Sequence, residues 1–192
     1  MKRHGVHHLG LAAYDYEATV DFYTNVMGWE IAWQDLQAAP DGTPLLRHVF
    51  FDTGDGSFVA FMCPTRANPN TPDTWATDIS SGLGLRGAMY HFAFWVDSVE
   101  ELEERQGELR ARGCETTEIV DHGWASSIYF RDPNGLMLEY CTTTRVFNAD
   151  DKLLEHRDQP GVTYTNPEDA ARDARILGRE RRSARVAETI GG

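Results

Sequence analysis

The sequence predicts an α+β chain in which one unit (a strand, a helix, then three strands) occurs twice in succession and is followed by a charged helical tail. The same order of elements recurs at a spacing of roughly 83 residues. Two strands open alike, His8-Leu9-Gly10-Leu11-Ala12 and His91-Phe92-Ala93-Phe94-Trp95, each a histidine followed by alternating residues. The charge changes character near residue 144. Before it, 9 Lys/Arg stand against 21 Asp/Glu, whereas residues 145–192 carry 9 of each.

In the first unit, an alternating run from Val6 to Ala13 predicts a strand, and Asp15 is the expected N-cap of a helix whose apolar positions are Ala18, Phe22 and Val26. Gly28 closes that helix. Strands follow at Trp29 to Leu36, Leu45 to Phe51 and Ser57 to Met62, separated by Pro40-Asp41-Gly42-Thr43-Pro44 and Gly54-Asp55-Gly56. A Pro/Asn/Thr-rich connection runs from Pro64 to Gly87. The second unit then opens with a strand at Tyr90 to Asp97 and a capping box at Ser98-Val99-Glu100-Glu101. Gly113 ends its helix. Strands are expected at Cys114 to Val120, Ala125 to Arg131 and Leu136 to Thr142, the last two joined by a turn at Asp132-Pro133-Asn134-Gly135. In the tail, Asn166-Pro167-Glu168-Asp169 marks a helix start, with proline at the first helical position, and the charges are expected to form a solvated or packing face.

At 192 residues, with 41% hydrophobic and 25% charged residues, the chain can bury a core without a disulfide or metal staple. A formal charge of -12 disfavours nucleic acid and anionic membranes as partners, and no run approaches the length of a membrane span. Cys63, Cys114 and Cys141 form no even framework, so a reducing, cytoplasmic setting is expected. Gly82-Leu83-Gly84-Leu85-Arg86-Gly87 spells a dinucleotide fingerprint, but it precedes a strand instead of linking a strand to a helix.

Alternation on the strands puts Leu9 and Leu11, like Phe92, Phe94 and Val96, on the face that packs against helices, and His8 and His91 on the other. His7 falls in the helix-facing register and is assigned a structural role. Within Leu136-Met137-Leu138-Glu139-Tyr140, Glu139 shares the histidines' face. A carboxylate in a core strand needs a partner or a cation. Two imidazoles and one carboxylate suit a divalent metal with open positions, Fe(II) first, with Mn, Zn, Ni or Co as alternatives.

Three segments, His8 to Gly28, His91 to Asp97 and Tyr129 to Glu139, make the chain resemble the vicinal oxygen chelate superfamily of glyoxalases, extradiol ring-cleaving dioxygenases and bleomycin-resistance proteins. The resemblance covers about residues 5–143. It implies a domain over 1–143, with module 1 at about 5–63, a linker at 64–88 and module 2 at about 89–143, followed by a charged helical tail at 144–192. It also implies that the two βαβββ modules pair into a cupped mixed sheet around one metal site, held by His8, His91 and Glu139. The fourth ligand place of the superfamily falls on Ala60, which cannot coordinate; this counts against a four-ligand glyoxalase-type isomerase.

Two histidines and a glutamate match the extradiol dioxygenases, so the resemblance implies an enzyme that opens a catechol-like aromatic with vicinal oxygens. Tyr129 stands where those enzymes keep a tyrosine that hydrogen-bonds the substrate. Ser57 stands about where their acid-base histidine is expected, which leaves His48, on the face of Phe50, and His122, in a loop, as proton-shuttle candidates. Phe50, Trp95, Met137, Phe61 and Trp33 are the candidate substrate-lining residues. A homodimer is expected. The alternatives are a glyoxalase-like isomerase, epimerase or lyase using another divalent metal, and a non-enzymatic protein that sequesters its ligand.

Overall fold

The computed structural model describes residues 5–85, 87–154 and 160–179. Module 1 holds β1 (His8–Ala12), α1 (Tyr16–Asp21), β2 (Glu30–Ala38), β3 (Pro44–Asp52) and β4 (Phe58–Pro64). Asp15 caps α1 by accepting a hydrogen bond from the Ala18 amide at 3.0 Å. The helix widens into a π turn over Phe22–Val26, and Gly28, at φ 76°, releases the chain into β2. Module 2 holds β5 (His91–Trp95), α3 (Val99–Ala111), β6 (Val120–Asp121), β7 (Ala125–Arg131) and β8 (Met137–Thr143). Ser98 caps α3 through the Glu101 amide, and Glu101 returns a carboxylate to the Asp97 amide.

Each module forms a four-stranded mixed sheet, ordered β1-β4-β3-β2 and β5-β8-β7-β6. The outer strand pairs in parallel with the last strand of its own module, so His8 lies beside Phe58 and His91 beside Met137. Further along, Gly10 meets Ala60 and Ala93 meets Glu139, while Phe50 meets Ala60 and Tyr129 meets Glu139. The correspondence between Ala60 and Glu139, and between Phe50 and Tyr129, is therefore carried by strand register. Among the described residues no ladder joins the two sheets.

What joins them is one hydrophobic core. The helix-facing residues Leu11, Val49, Phe51, Val59 and Phe61 of the first sheet and Ile128, Phe130, Leu138 and Tyr140 of the second belong to a single buried cluster with Tyr23 and Leu102. Each fully buried side chain of this kind contributes about 1.5–3 kcal/mol. Tyr23 is fully buried, stacks on Phe51 at 5.1 Å and donates its hydroxyl to Asp132 in module 2 at 3.2 Å. Trp29 meets Phe94 edge-on at 4.8 Å. In the Asp132–Gly135 turn, Asn134 accepts the Tyr14 amide and donates to Thr19. The hairpin turn expected from Asp-Pro-Asn-Gly thus also anchors α1. Both sheets turn their helix-facing sides to the shared core, and the faces bearing His8 and His91 look away from it.

Three expectations change. Cys114 to Val120 is not a continuous strand; Thr116 makes a single bridge to Phe130 of β7, and a regular ladder with β7 forms only at Val120 and Asp121. The Thr117 amide still donates to the Tyr129 carbonyl, but the carbonyls of Thr116 and Thr117 accept side-chain donors from Arg110 and Gln106 of α3, which keeps the pairing from extending into a full strand. The connection between modules contains a short helix, α2 (Ile79–Gly82), capped by Asp78. His7 is exposed and not in the core; it shares a 2.9 Å contact between the Nδ1 atoms with His8 and packs on Phe58.

The tail helix, α4 (Pro167–Ile176), starts with Asn166 accepting the Glu168 amide, and a short 3-10 turn lies at Asp150–Lys152. Expectations for tail residues 155–159 and 180–192 lie outside the described residues.

Candidate functional site

The outward face of module 2 carries a buried polar arrangement. Glu139 is 4% exposed in the middle of β8. His91 Nε2 lies 3.0 Å from Glu139 Oε2, and His91 Nδ1 lies 2.7 Å from the carbonyl oxygen of Ala88. A carbonyl can only accept, so Nδ1 carries a hydrogen. In the neutral ring, Nε2 then presents a lone pair to a carboxylate oxygen. Two acceptors at that distance repel unless a proton or a cation lies between them. A backbone-anchored imidazole beside a buried carboxylate could supply two donors to a divalent metal, with the Nδ1–carbonyl bond as outer support.

Tyr129 lies directly across the ladder from Glu139, and its hydroxyl is 3.1 Å from His122 Nε2. Burial, reinforced by the Glu139 carboxylate, raises the Tyr129 pKa far above the ordinary phenol range, so the hydroxyl remains a donor near neutrality. Met137 is 1% exposed on the same face. Ser127, two residues before Tyr129, holds a buried hydroxyl without a hydrogen-bond partner among the described residues. Sequence reading passed over Ser127, although alternation from Tyr129 points to it. Trp95, at the far end of β5, is 68% exposed and donates to Asp97.

The outward face of module 1 is aromatic. His8 packs on Phe50 at 5.5 Å, His48 on Phe50 at 4.8 Å, and Trp33 stands edge-on to both His48 and Phe50. His48 Nδ1 is 3.8 Å from Asp35 Oδ1, beyond hydrogen-bonding distance. Ala60, at the place equivalent to Glu139, is buried and offers no donor atom.

The structure therefore assembles His91, Glu139, Tyr129 and His122 on one sheet, with Met137 beside them, and His8, His48, Phe50 and Trp33 on the other. Among the described residues no three His, Cys, Asp or Glu side chains gather around a common point, so a single chain does not bring His8 to His91 and Glu139. Phe61 is a correction. It is fully buried on the helix side, 4.9 Å from Tyr23, because strand period two sets it opposite Ala60; Met62, 37% exposed, is the neighbour that faces outward. The cysteines are free, and burial pushes the thiols of Cys63 and Cys141 up and that of Cys114 to about 11, which fits packing residues and not nucleophiles.

With this geometry in view, the profile of the Glyoxalase/Bleomycin resistance protein/Dioxygenase superfamily matches residues 5–140. The chain belongs to that superfamily. Two curated relatives are each 26% identical. One is the putative ring-cleaving dioxygenase MhqA of Bacillus subtilis (strain 168), over 79% of this chain and 42% of its own length. The other is biphenyl-2,3-diol 1,2-dioxygenase 2 of Rhodococcus globerulus, over 69% of this chain and 59% of its own. The chain spans less than two thirds of either relative. Among solved structures, the fosfomycin resistance protein FosX of Listeria monocytogenes, complexed with Mn(II) and sulfate, is similar over 74% of this chain and 95% of its own, with a TM-score of 0.51 and 21% identity. That likeness is one of fold alone, and the Mn(II) belongs to that protein. No helix among the described residues is long and apolar enough to cross a membrane.

Proposed function

We propose that this superfamily member is a metal-dependent ring-cleaving dioxygenase of the extradiol type, acting in the cytoplasm on a catechol-like aromatic. The observation that carries the reading is the buried Glu139 carboxylate 3.0 Å from Nε2 of a His91 ring whose other nitrogen is tied to Ala88. His8, His91 and Glu139 would hold the ion, Fe(II) by preference. The names of the two curated relatives support ring cleavage. The alanine at position 60 weighs against a four-ligand isomerase.

His8 lies on a different sheet from the other two ligands; the outward face of module 1 is open at Trp33, 50% exposed, and that of module 2 at its Trp95 end, 68% exposed. The complete site is accordingly assigned to a homodimer in which module 1 of one copy covers module 2 of the other. When bound, a divalent ion lowers the pKa of the diol hydroxyls and, as Fe(II), activates dioxygen for insertion beside the diol. Around it, Tyr129 donates a hydrogen bond to a substrate oxygen and His122 holds the proton that leaves the diol. Phe50 and Trp33 supply apolar contacts for the ring.

The test is anaerobic reconstitution with Fe(II), metal analysis, and oxygen uptake on catechol and biphenyl-2,3-diol. Uptake matched by a yellow ring-opened product supports the proposal. Metal binding without oxygen uptake on either diol, together with turnover of a thiohemiacetal or 2-oxo acid, overturns it in favour of isomerase or lyase chemistry.

A further inference from the structure

Helix α4 lies beyond the last residue matched by the superfamily profile, yet it docks on the metal-facing side of module 2. Ile176 and Leu177 form a buried cluster with Tyr129 and Met137, with Ala88 packed at its edge. The docking is polar as well as apolar. Asp173 is 1% exposed and accepts the Glu118 amide and the Tyr164 hydroxyl, while Arg131 donates from Nε to the Ile176 carbonyl. The end of the helix meets backbone: a Cβ on Gly87 would lie 2.7 Å from the Leu177 carbonyl oxygen, and one on Gly178 would lie 2.9 Å from the Gly87 nitrogen. Both glycines have positive φ. The residue after Gly87 is Ala88, whose carbonyl anchors His91.

We propose that α4 is a positioning element of the candidate metal site. Its C-terminal turn fixes the Gly87–Ala88 backbone, and with it the ring plane of His91. Ile176 and Leu177 fix Tyr129 by packing against it on that face. The inference rests on the metal reading above, and the ligand-orienting bond it protects is of the kind whose loss weakens metal binding about 10- to 100-fold.

The experiment uses the full chain and Co(II) alone as the probe, titrated by visible absorption, with far-ultraviolet circular dichroism to confirm folding. Gly178→Ala forces α4 away from Gly87, and Leu177→Ala removes the side chain packed on Tyr129 and Met137. Leu177→Met is the conservative rescue, and Arg175→Ala, on the exposed side where it pairs with Glu115, is the control. Folded Gly178→Ala and Leu177→Ala are expected to bind Co(II) about 10-fold more weakly or worse, with Leu177→Met and Arg175→Ala near the parent. Should the parent bind Co(II) and both weakening variants match it within about twofold, α4 has no positioning role and the metal reading stands. A parent that takes up no Co(II) defeats the metal reading itself, and this inference with it.

Discussion

The two modules share register, strand order and helix placement, yet their outward faces differ in kind. Module 1 presents His8, His48, Phe50 and Trp33 as an open aromatic surface, with alanine at the place equivalent to Glu139. Module 2 presents a connected polar chain from His91 through Glu139 and Tyr129 to His122, backed by α4. One fold unit, used twice, has been specialised by a few strand positions. The half with the buried carboxylate is the one with a tethered imidazole, a high-pKa phenol and extra packing, because a buried charge requires that support. The open half can supply an imidazole and apolar area without such a shell.

The most severe way to break this comparison is Glu139→Gln. With the carboxylate gone from module 2, the protein is expected to lose Fe(II) on gel filtration and to lose oxygen uptake entirely. His48→Gln in module 1, by contrast, should retain its metal by elemental analysis.

Co-expression of His8→Ala and His91→Ala chains sharpens the division of labour. Each variant alone is expected to be inactive. Random pairing leaves one intact site in half of the dimers, so activity should return to about a quarter of the parent. No recovery from purified mixed dimers would mean that the two half-sites do not meet across a dimer.

A smaller effect separates the proton-shuttle candidates. His122 contacts Tyr129, whereas His48 sits among aromatics on the other sheet. His122→Gln is expected to lower kcat by about 10²-fold or more, within the range for a general acid-base group, and His48→Gln by much less. Equal losses in stopped-flow turnover would abolish the distinction.

The mildest prediction concerns the support of module 2 by α4. Burial opposes ionisation of Glu118, but the Arg172 and Arg110 guanidiniums more than offset it and hold its pKa below the ordinary carboxylate value. A folded-state pKa below the unfolded one gives stability that is present above about pH 4.5 and is lost as pH falls through the lowered value. Tail docking, followed by protease cleavage near residue 163, should therefore loosen below about pH 4.5, and Glu118→Gln should flatten that dependence.

Much of the fold was legible because its signals are local. Asp15, Ser98 and Asn166 cap helices as their side chains allow, and the Asp132–Gly135 turn closes β7 onto β8. Period two placed Glu139, Tyr129 and His91 on one face, and it also contained the information that excludes Phe61, since Phe61 is out of phase with Ala60. The segment from Cys114 to Thr117 misled because the carbonyls of Thr116 and Thr117 are taken by side chains of α3, which limits its pairing with β7 to a single bridge. Ser127 was equally readable from alternation, but a serine in a strand carries no signal of its own until its burial is seen.

The sequence by itself determined the two βαβββ units and which residue types share each strand face, because caps, turns and alternation act over a few residues. Only the tertiary structure decided that the sheets share one core with their outward faces apart, that His8 and His91 lie on separate sheets, and that α4 packs against the second of them. Those outcomes depend on which buried surfaces find one another across the whole chain, a matter of packing that no local pattern encodes.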